Sequence, residues 1–498
     1  MAGDKDMGLA IKTYGHRLFE GQTVPEYLLE FALVFLGDRP SDSSPELGGP
    51  GNFPTRPVER GELGYQAHAR VGLKRFIFFE RSKQEKRLEV DRLAYEEMRS
   101  LVEDHIESDV RSLTAADVVD IIQELFYGYT AVRLNRSWFA QSLLPISREL
   151  MFPEAMRNNV RITQLTATNN GKIDIRGKAE VDNAFDFHSY LFLARGGEVY
   201  YLHVLSGLLN SPDELREEIE NGLNELFNSR RELSRLANWL QETWEKHMGI
   251  RPGPVTKTCQ WIPQEYEQRA PYTCRELAAF LRARMDPLQK IQLLSTGVVL
   301  QILRMMHDRA GAAVKRTKTR PAWVIHVPGC KSDDVKTLAT QSYQQCEDDL
   351  LGALYTQADK NATQDQVRQL VAASSRNAHL LFRKLGKATD LVVPPQGSHT
   401  RFSLSEDLLK FLVMALIEPG DKILLSEFLR RLYEHFGMVI GPAELVVYQE
   451  SNEEHMVAQV DSSLLRENEE ALKDMLKACG FLRDLSDATA IVENPFGG

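Results

Sequence analysis

The chain has 498 residues, of which 43% are hydrophobic and 26% are charged, and this composition excludes disordered, collagen-like and coiled-coil proteins. Its length exceeds what one hydrophobic core usually spans, so we expect two to four domains. The formal net charge of -10 excludes a protein that coats nucleic acid with its whole surface. Phosphate contacts need clustered Lys and Arg, which leaves only a local basic patch for that role.

The region 1–157 is predicted to be a helical N-terminal domain. Pro25 and the cap Thr23 start a helix that runs to Phe35, and Thr114 with Asp117 forms a capping box for a second helix. Between these helices, residues 37–64 are dense in Pro, Gly and Ser, which predicts a disordered or irregular surface loop. An amphipathic pattern over 83–106 predicts a further helix.

The region 158–250 is predicted to hold a small central antiparallel sheet followed by helices. Short β-branched and aromatic runs at 160–163, 172–177, 185–194 and 199–204 are separated by Asn-Gly and Gly-Gly pairs. Such pairs favour the positive φ of tight turns, so a meander of three or four strands is expected. Helical spacing returns from Ser211 to His247.

Residues 251–400 are predicted to form a helical middle region, and residues 401–498 a winged-helix-like domain. In the latter, Ser403 and Glu406 suggest a capping box, and two more helices end at glycines before a strand-like hairpin. Three helices followed by a hairpin is the winged-helix order. The fold class expected for the whole chain is therefore α+β and mostly helical.

Neither a secretion signal nor a membrane span is expected. Residues 1–7 lack the positive-then-apolar order of a signal, and the longest apolar run, 27–36, contains Glu30 and is shorter than the roughly 20 residues needed to cross a bilayer. A cytoplasmic location follows as a prediction. The cysteines are widely spread without a CxxC pair, which favours free thiols: Cys259, Cys274, Cys330, Cys346 and Cys479.

No stretch of the sequence assembles a readable catalytic site, and no cofactor is expected. The phosphate-binding motifs GxxxxGK[ST] and GxGxxG are absent, as is the nucleophile motif GxSxG. The alternative is a divergent metal-dependent nuclease whose acids, Asp182, Asp186 and Glu198, come from the meander. The same three acids would also be found at solvent-exposed strand ends that have no catalytic role. His188 and His203 could face each other across that sheet, either as metal ligands or bases or as ordinary polar residues.

The strongest candidate for nucleic-acid contact is a basic run in the middle region. It comprises Arg309, Lys315, Arg316, Lys318 and Arg320. Such a patch suits phosphates or an acidic partner surface, and the alternative is a solvated loop. The third C-terminal helix carries more acids than bases, so pressing it into a DNA groove would be repulsive. A protein-binding winged helix is the better interpretation.

Three features together resemble a known family. The phrases Gly21–Phe31 and Asn135–Ala140, with the winged-helix-like tail, look like an uncharacterised accessory protein of bacterial methylation-associated phage-defence systems. The resemblance implies a non-catalytic component of an antiviral complex that works with other defence proteins, among them an ATP-binding protein, and acts on or near DNA. It carries no catalytic residue to this chain.

Overall fold

A computed structural model describes most of the chain. The described residues are 8–15, 18, 21–37, 53–57, 63–67, 70–78, 89–107, 112–135, 138–152, 154–157, 190–192, 196–248, 255–258, 262–314, 321–359, 361–450, 460–486 and 489–497. Within them the protein is mostly helical with small sheets, as expected from the sequence.

The helices are numbered here in chain order. They are α1 Leu9–Tyr14, α2 Val24–Leu36, α3 Val71–Phe78, α4 Glu89–Glu103, α5 Ala115–Tyr127, α6 Gly196–Leu208, α7 Asp213–Leu226, α8 Arg231–Met248, α9 Gln264–Glu267, α10 Ala270–Arg282, α11 Pro287–Val314, α12 Asp333–Gln357, α13 Gln364–Ser375, α14 His379–Ala388, α15 Glu406–Leu416, α16 Leu425–Phe436, α17 Pro442–Glu450 and α18 Arg466–Ala478.

The strands are short. They are β1 Gly64–Ala67, β2 Thr130–Asn135, β3 Trp138–Leu143, β4 Glu154–Arg157, β5 Tyr190–Phe192, β6 Val255–Thr258, β7 Trp323–Val324, β8 Val392–Val393, β9 Arg401–Phe402, β10 Lys422–Leu424, β11 Met438–Val439, β12 Leu482–Ser486 and β13 Thr489–Glu493.

The predicted N-terminal helices are confirmed, together with their capping chemistry. Thr23 and Glu26 form a capping box at the start of α2, and Thr114 and Asp117 form one at the start of α5. The surface loop predicted over 37–64 is wrong at Phe53, which is buried and stacks on Tyr201. The described residues 53–57 contain neither helix nor strand, as predicted, whereas 38–52 lie outside the described part of the chain.

A four-stranded antiparallel sheet lies mostly before the region in which a sheet was predicted. Antiparallel strands pair in the order β2-β3-β4-β5, so three of the four precede residue 158. The strand predicted over Val199–Val204 is wrong, because these residues lie in helix α6. The Gly196-Gly197 pair begins that helix and does not turn a hairpin. The runs at 160–163 and 172–177 lie outside the described residues.

Long helices form the middle of the molecule. α11 packs against α12, α2 and α15, while α10 packs against α6, α7 and α15. The buried apolar side chains form one connected core that reaches from α2 to the C-terminal elements. Near the end of the predicted helical middle region two successive helices are separated by a short break, since α13 ends at Ser375 and α14 begins at His379.

The C-terminal elements follow the predicted chain order with additions. α15, β10, α16, α18, β12 and β13 succeed one another, and β13 pairs with both β10 and β12. β11 and α17 lie between α16 and α18 and are additions to that order. The α15 cap is Ser405, whose hydroxyl accepts from Leu408 N at 3.3 Å, and not Ser403 as predicted. Ser403 instead donates to the His326 carbonyl at 3.0 Å.

Two compositional expectations can be compared with the structure. Cys274, Cys330, Cys346 and Cys479 are free thiols, as predicted, and Cys259 lies outside the described residues. Among the helices of the described part, none combines the length and apolar character needed to cross a membrane.

Candidate functional site: a cationic cleft between helix ends

The acids proposed for a nuclease do not form a site in the described part of the chain. Asp182 and Asp186, with His188, lie outside the described residues. Glu198 lies in the first turn of α6, is only 1% exposed and accepts a hydrogen bond from the Tyr65 hydroxyl at 2.8 Å. It is therefore a buried helix residue, not a ligand at a strand end.

The sequence suggested that His203 faces His188 across a sheet, but His203 does not lie in a strand. It is buried in α6, where its Nε2 lies 2.8 Å from the Thr273 hydroxyl. Burial lowers the pKa of His203 to about 3, so the ring is neutral at physiological pH. Among the residues the structure describes, no three His, Cys, Asp or Glu side chains are grouped so that they could hold a metal ion.

A second buried carboxylate lies beside Glu198, where α2 crosses the start of α6. Glu30 Oε2 accepts from the Gly197 backbone N–H at 2.8 Å and from Gln22 Nε2 at 2.6 Å. Burial raises the pKa of Glu30 well above its ordinary value. A Cβ on Gly197 would lie 2.3 Å from the Tyr27 carbonyl oxygen, so glycine is needed for this close crossing.

The predicted basic patch is described only at its first member. Residues 315–320, which hold Lys315, Arg316, Lys318 and Arg320, lie outside the described part of the chain. Arg309 forms an ion pair with Glu265 and donates its Nε to the Thr13 carbonyl at 2.9 Å. Its guanidinium therefore connects α11 to α9 and α1. This pairing could not be predicted from the local sequence, because Glu265 is distant from Arg309 along the chain.

A buried charged network joins the helical middle region to α16. The Arg269 guanidinium lies 3.0 Å from Glu276, Gln301 donates to the same carboxylate at 2.5 Å, and His435 Nδ1 lies 2.8 Å from it. Burial alone would raise the pKa of Glu276, but Arg269 and His435 together hold it below its ordinary value. Arg269 and Glu276 are 3% and 1% exposed, so this network stabilises the fold and is closed to ligands.

An open cleft of about 1600 Å³ lies where the ends of several helices meet. Its walls are the C-terminal ends of α5, α7 and α10 and the N-terminal ends of α8 and α11. We call it the cationic cleft because its lining includes five basic side chains against two acidic ones, Glu225 and Glu232. The basic ones are Arg230, Arg231, Arg282, Arg284 and Lys290.

Carboxylates neutralise two of these five cations. Arg282 binds both Glu218 and Glu418, and Arg230 lies 3.4 Å from Asp286. Lys290 donates to the Leu281 carbonyl at 2.6 Å, and burial lowers its pKa. Arg231 and Arg284 are exposed, and within the described ranges neither makes an ion pair with a carboxylate. The cleft thus presents two cations that are available to an incoming anion.

The rest of the cleft wall is substantially apolar and continues onto α5. Leu125 and Tyr129 from the end of α5 and Leu281 and Met285 from the end of α10 are part of the lining. Leu125 is 44% exposed, and Ile121, one turn earlier on the same face of α5, is 53% exposed. We call Ile121 and Leu125 the α5 stripe. Anionic and apolar groups of one ligand could therefore be accommodated together.

No single stretch of the sequence predicts this cleft. Local signals exist, since Arg230-Arg231 follows Asn228-Ser229 and Arg282-Ala283-Arg284 precedes Asp286-Pro287. Each places arginines at a helix boundary. Only the fold brings the two boundaries together. The sequence therefore predicted the longer basic run at 315–320 as the anion-binding surface instead.

A second surface, the outer side of α18, carries exposed carboxylates beside Lys473 and Lys477. The inner side is fixed by Asn468, which donates to the Ile325 and Ile440 carbonyls at 2.8 and 2.9 Å and accepts from Val327 N at 2.8 Å. Glu470 and Asp474 are exposed on the outer side, and Lys473 is bound to Glu470 at 2.6 Å. We call Glu470 and Asp474 the acidic face.

A smaller cleft of about 370 Å³ lies next to the acidic face, between α18 and the start of α15. Glu406 and Asp474 are on its rim, and Ala471 and Met475 are on its wall. A cationic side chain would be favoured there over a phosphate.

No protein-family model matches the chain, and no curated protein or solved structure is significantly similar to it.

Proposed function

We propose that this protein is a non-catalytic, partner-binding component of a bacterial antiviral assembly, and that its C-terminal unit is a winged helix that contacts protein. The observation that carries the proposal is the placement of α18. Its inner side is bonded to the middle region through Asn468, and its outer side presents the acidic face.

The winged-helix assignment is supported by the order and pairing of the C-terminal elements. Helix α15, strand β10 and helix α16 precede α18, and the hairpin β12–β13 returns to pair with β10. A winged helix that reads DNA inserts its third helix into a groove lined by phosphates. Glu470 and Asp474 would be repelled there, whereas a basic protein surface would be attracted.

The remainder of the proposal comes from the resemblance noted in the sequence. A cytoplasmic location, an ATP-binding partner and other defence proteins as neighbours are what that resemblance implies. DNA is the second partner, and the residues proposed to contact it are Lys315, Arg316, Lys318 and Arg320. The competing proposal, a nuclease using Asp182 and Asp186, has lost Glu198 as an accessible third acid.

The test is affinity purification of the tagged chain from its native host, with the bound proteins identified by mass spectrometry. We expect a stoichiometric partner that the variant Glu470→Lys/Asp474→Lys loses. The matched control is Glu217→Lys/Glu242→Lys, which reverses two exposed acids on α7 and α8. Equal retention of the partner by both variants, or the absence of any stoichiometric partner, would refute the proposal.

A further inference from the structure

We propose that the cationic cleft and the α5 stripe together dock an acidic amphipathic helix from a partner protein. This inference rests on the proposed partner-binding function but uses a surface other than the acidic face.

The size of the cleft favours a segment of a macromolecule over a metabolite. Small-molecule pockets usually enclose about 300 to 1,000 Å³, and this cleft is about 1600 Å³. Leu125 lines the cleft and Ile121 is exposed one turn earlier on α5, so a bound chain can extend from the cleft over both side chains. Such a shape suits a helix lying in a groove.

The charges in the cleft favour a negatively charged partner segment. Among the basic side chains that line the cleft, Arg231 and Arg284 are the exposed ones that have no carboxylate partner within the described residues. Asp120 of α5 is bound to Arg99 at 2.7 Å, and Asp117, which keeps its charge in the capping box of Thr114, lies at the end of the stripe that is farther from the cleft. Glu124 also interacts within the chain. An acidic side chain entering the cleft therefore gains two cations.

The apolar lining distinguishes a protein helix from nucleic acid. Leu281, Met285 and Leu125 all line the cleft, and these are the side chains that grooves for amphipathic helices use. Single-stranded nucleic acid needs a series of aromatic platforms for its bases, and the described lining has one aromatic residue, Tyr129. A helix with leucine-like residues spaced by three or four positions and Asp or Glu at one end matches both features.

A random library of helical peptides displayed on phage tests the proposal with the full-length chain as bait. We expect enriched peptides to be acidic and amphipathic, and to bind at least about tenfold more weakly to Arg231→Glu/Arg284→Glu. Ile121→Glu should weaken the same peptides. The control Lys246→Glu/Lys331→Glu reverses two exposed lysines outside the cleft and should leave binding unchanged.

Other results would overturn the inference. These are no enrichment, enrichment of basic or neutral peptides, or acidic peptides that bind both arginine and control variants equally. A labelled single-stranded DNA oligonucleotide forms a parallel arm. If Arg231→Glu/Arg284→Glu abolishes its binding while no peptide is enriched, the cleft binds nucleic acid instead. Because Glu470→Lys/Asp474→Lys leaves the cleft intact, failure of the acidic-face proposal would be seen separately.

Discussion

Two regions of the molecule bury a glutamate in different ways. At the crossing of α2 and α6, Glu30 accepts hydrogen bonds from uncharged donors, Gly197 N and Gln22 Nε2, and burial raises its pKa. At the junction with α16, Glu276 is paired with Arg269, and its pKa is lowered despite its burial. A buried carboxyl can therefore be a neutral hydrogen-bonding group or half of an ion pair, and neither arrangement implies catalysis.

The largest effect is expected from breaking the charged arrangement. Glu276→Gln removes the carboxylate charge that is paired with the buried Arg269 guanidinium and should lower the free energy of unfolding by about 3–5 kcal/mol, measured by urea denaturation. Glu218→Gln, which removes one partner of the exposed Arg282, should cost under about 1 kcal/mol. Equal costs for the two variants would remove the distinction between a buried pair and an exposed one.

An uncharged polar group in the same part of the molecule should matter less. Asn468→Ala leaves the Val327 N–H and two carbonyls without their side-chain partner. We expect a loss of about 1–3 kcal/mol in thermal or urea unfolding, the usual cost of a buried unsatisfied group. An unchanged unfolding midpoint would show that α18 is not held to the middle region by this side chain.

The crossing of α2 and α6 depends on backbone proximity as well as on Glu30. Gly197→Ala places a methyl group 2.3 Å from Phe31 N, so the helices must separate, and we expect a loss of about 1–3 kcal/mol. Gly8→Ala is the matched control, because nothing lies within 4 Å of the added Cβ. Calorimetry compares the two melting temperatures, and an equal small shift in both would contradict the close crossing.

The smallest effect concerns pH, and its sign separates the two glutamates. Because the pKa of Glu30 is raised on folding, the stability it contributes is full at low pH and falls as pH rises above about 4.5. Glu276 has a lowered pKa, so its contribution is lost as pH falls. Glu30→Gln should differ from the parent by under about 1 kcal/mol at pH 5 and become relatively more stable by pH 8. Denaturation curves that keep a constant offset across that range would disprove the neutral form of Glu30.

The sequence predicted the features that are set by neighbouring residues. The Thr114–Asp117 capping box needs partners three positions apart, and Gly437 ends α16 with a φ of 64° that glycine adopts freely. Both were predictable from local chemistry. The order of the C-terminal helices and hairpin followed from such signals.

Features that depend on distant residues could not be predicted in this way. Gly196-Gly197 has the composition of a turn, yet these glycines allow α6 to pack closely against Tyr27 and Phe31 of α2. Arg309 belongs to a basic run in the sequence but pairs with Glu265. The cationic cleft combines the ends of five helices, so no single stretch of sequence carries its pattern.

The central claim is that the outer side of α18 binds protein and not DNA. Cross-linking mass spectrometry on the native assembly tests it most directly, because cross-links locate the partner on this chain. The account predicts cross-links from partner lysines to Glu470 and Asp474 with a carboxylate-reactive reagent, and their loss in Glu470→Lys/Asp474→Lys. If α18 were cross-linked to DNA in the assembly and to no partner protein, the claim would be contradicted.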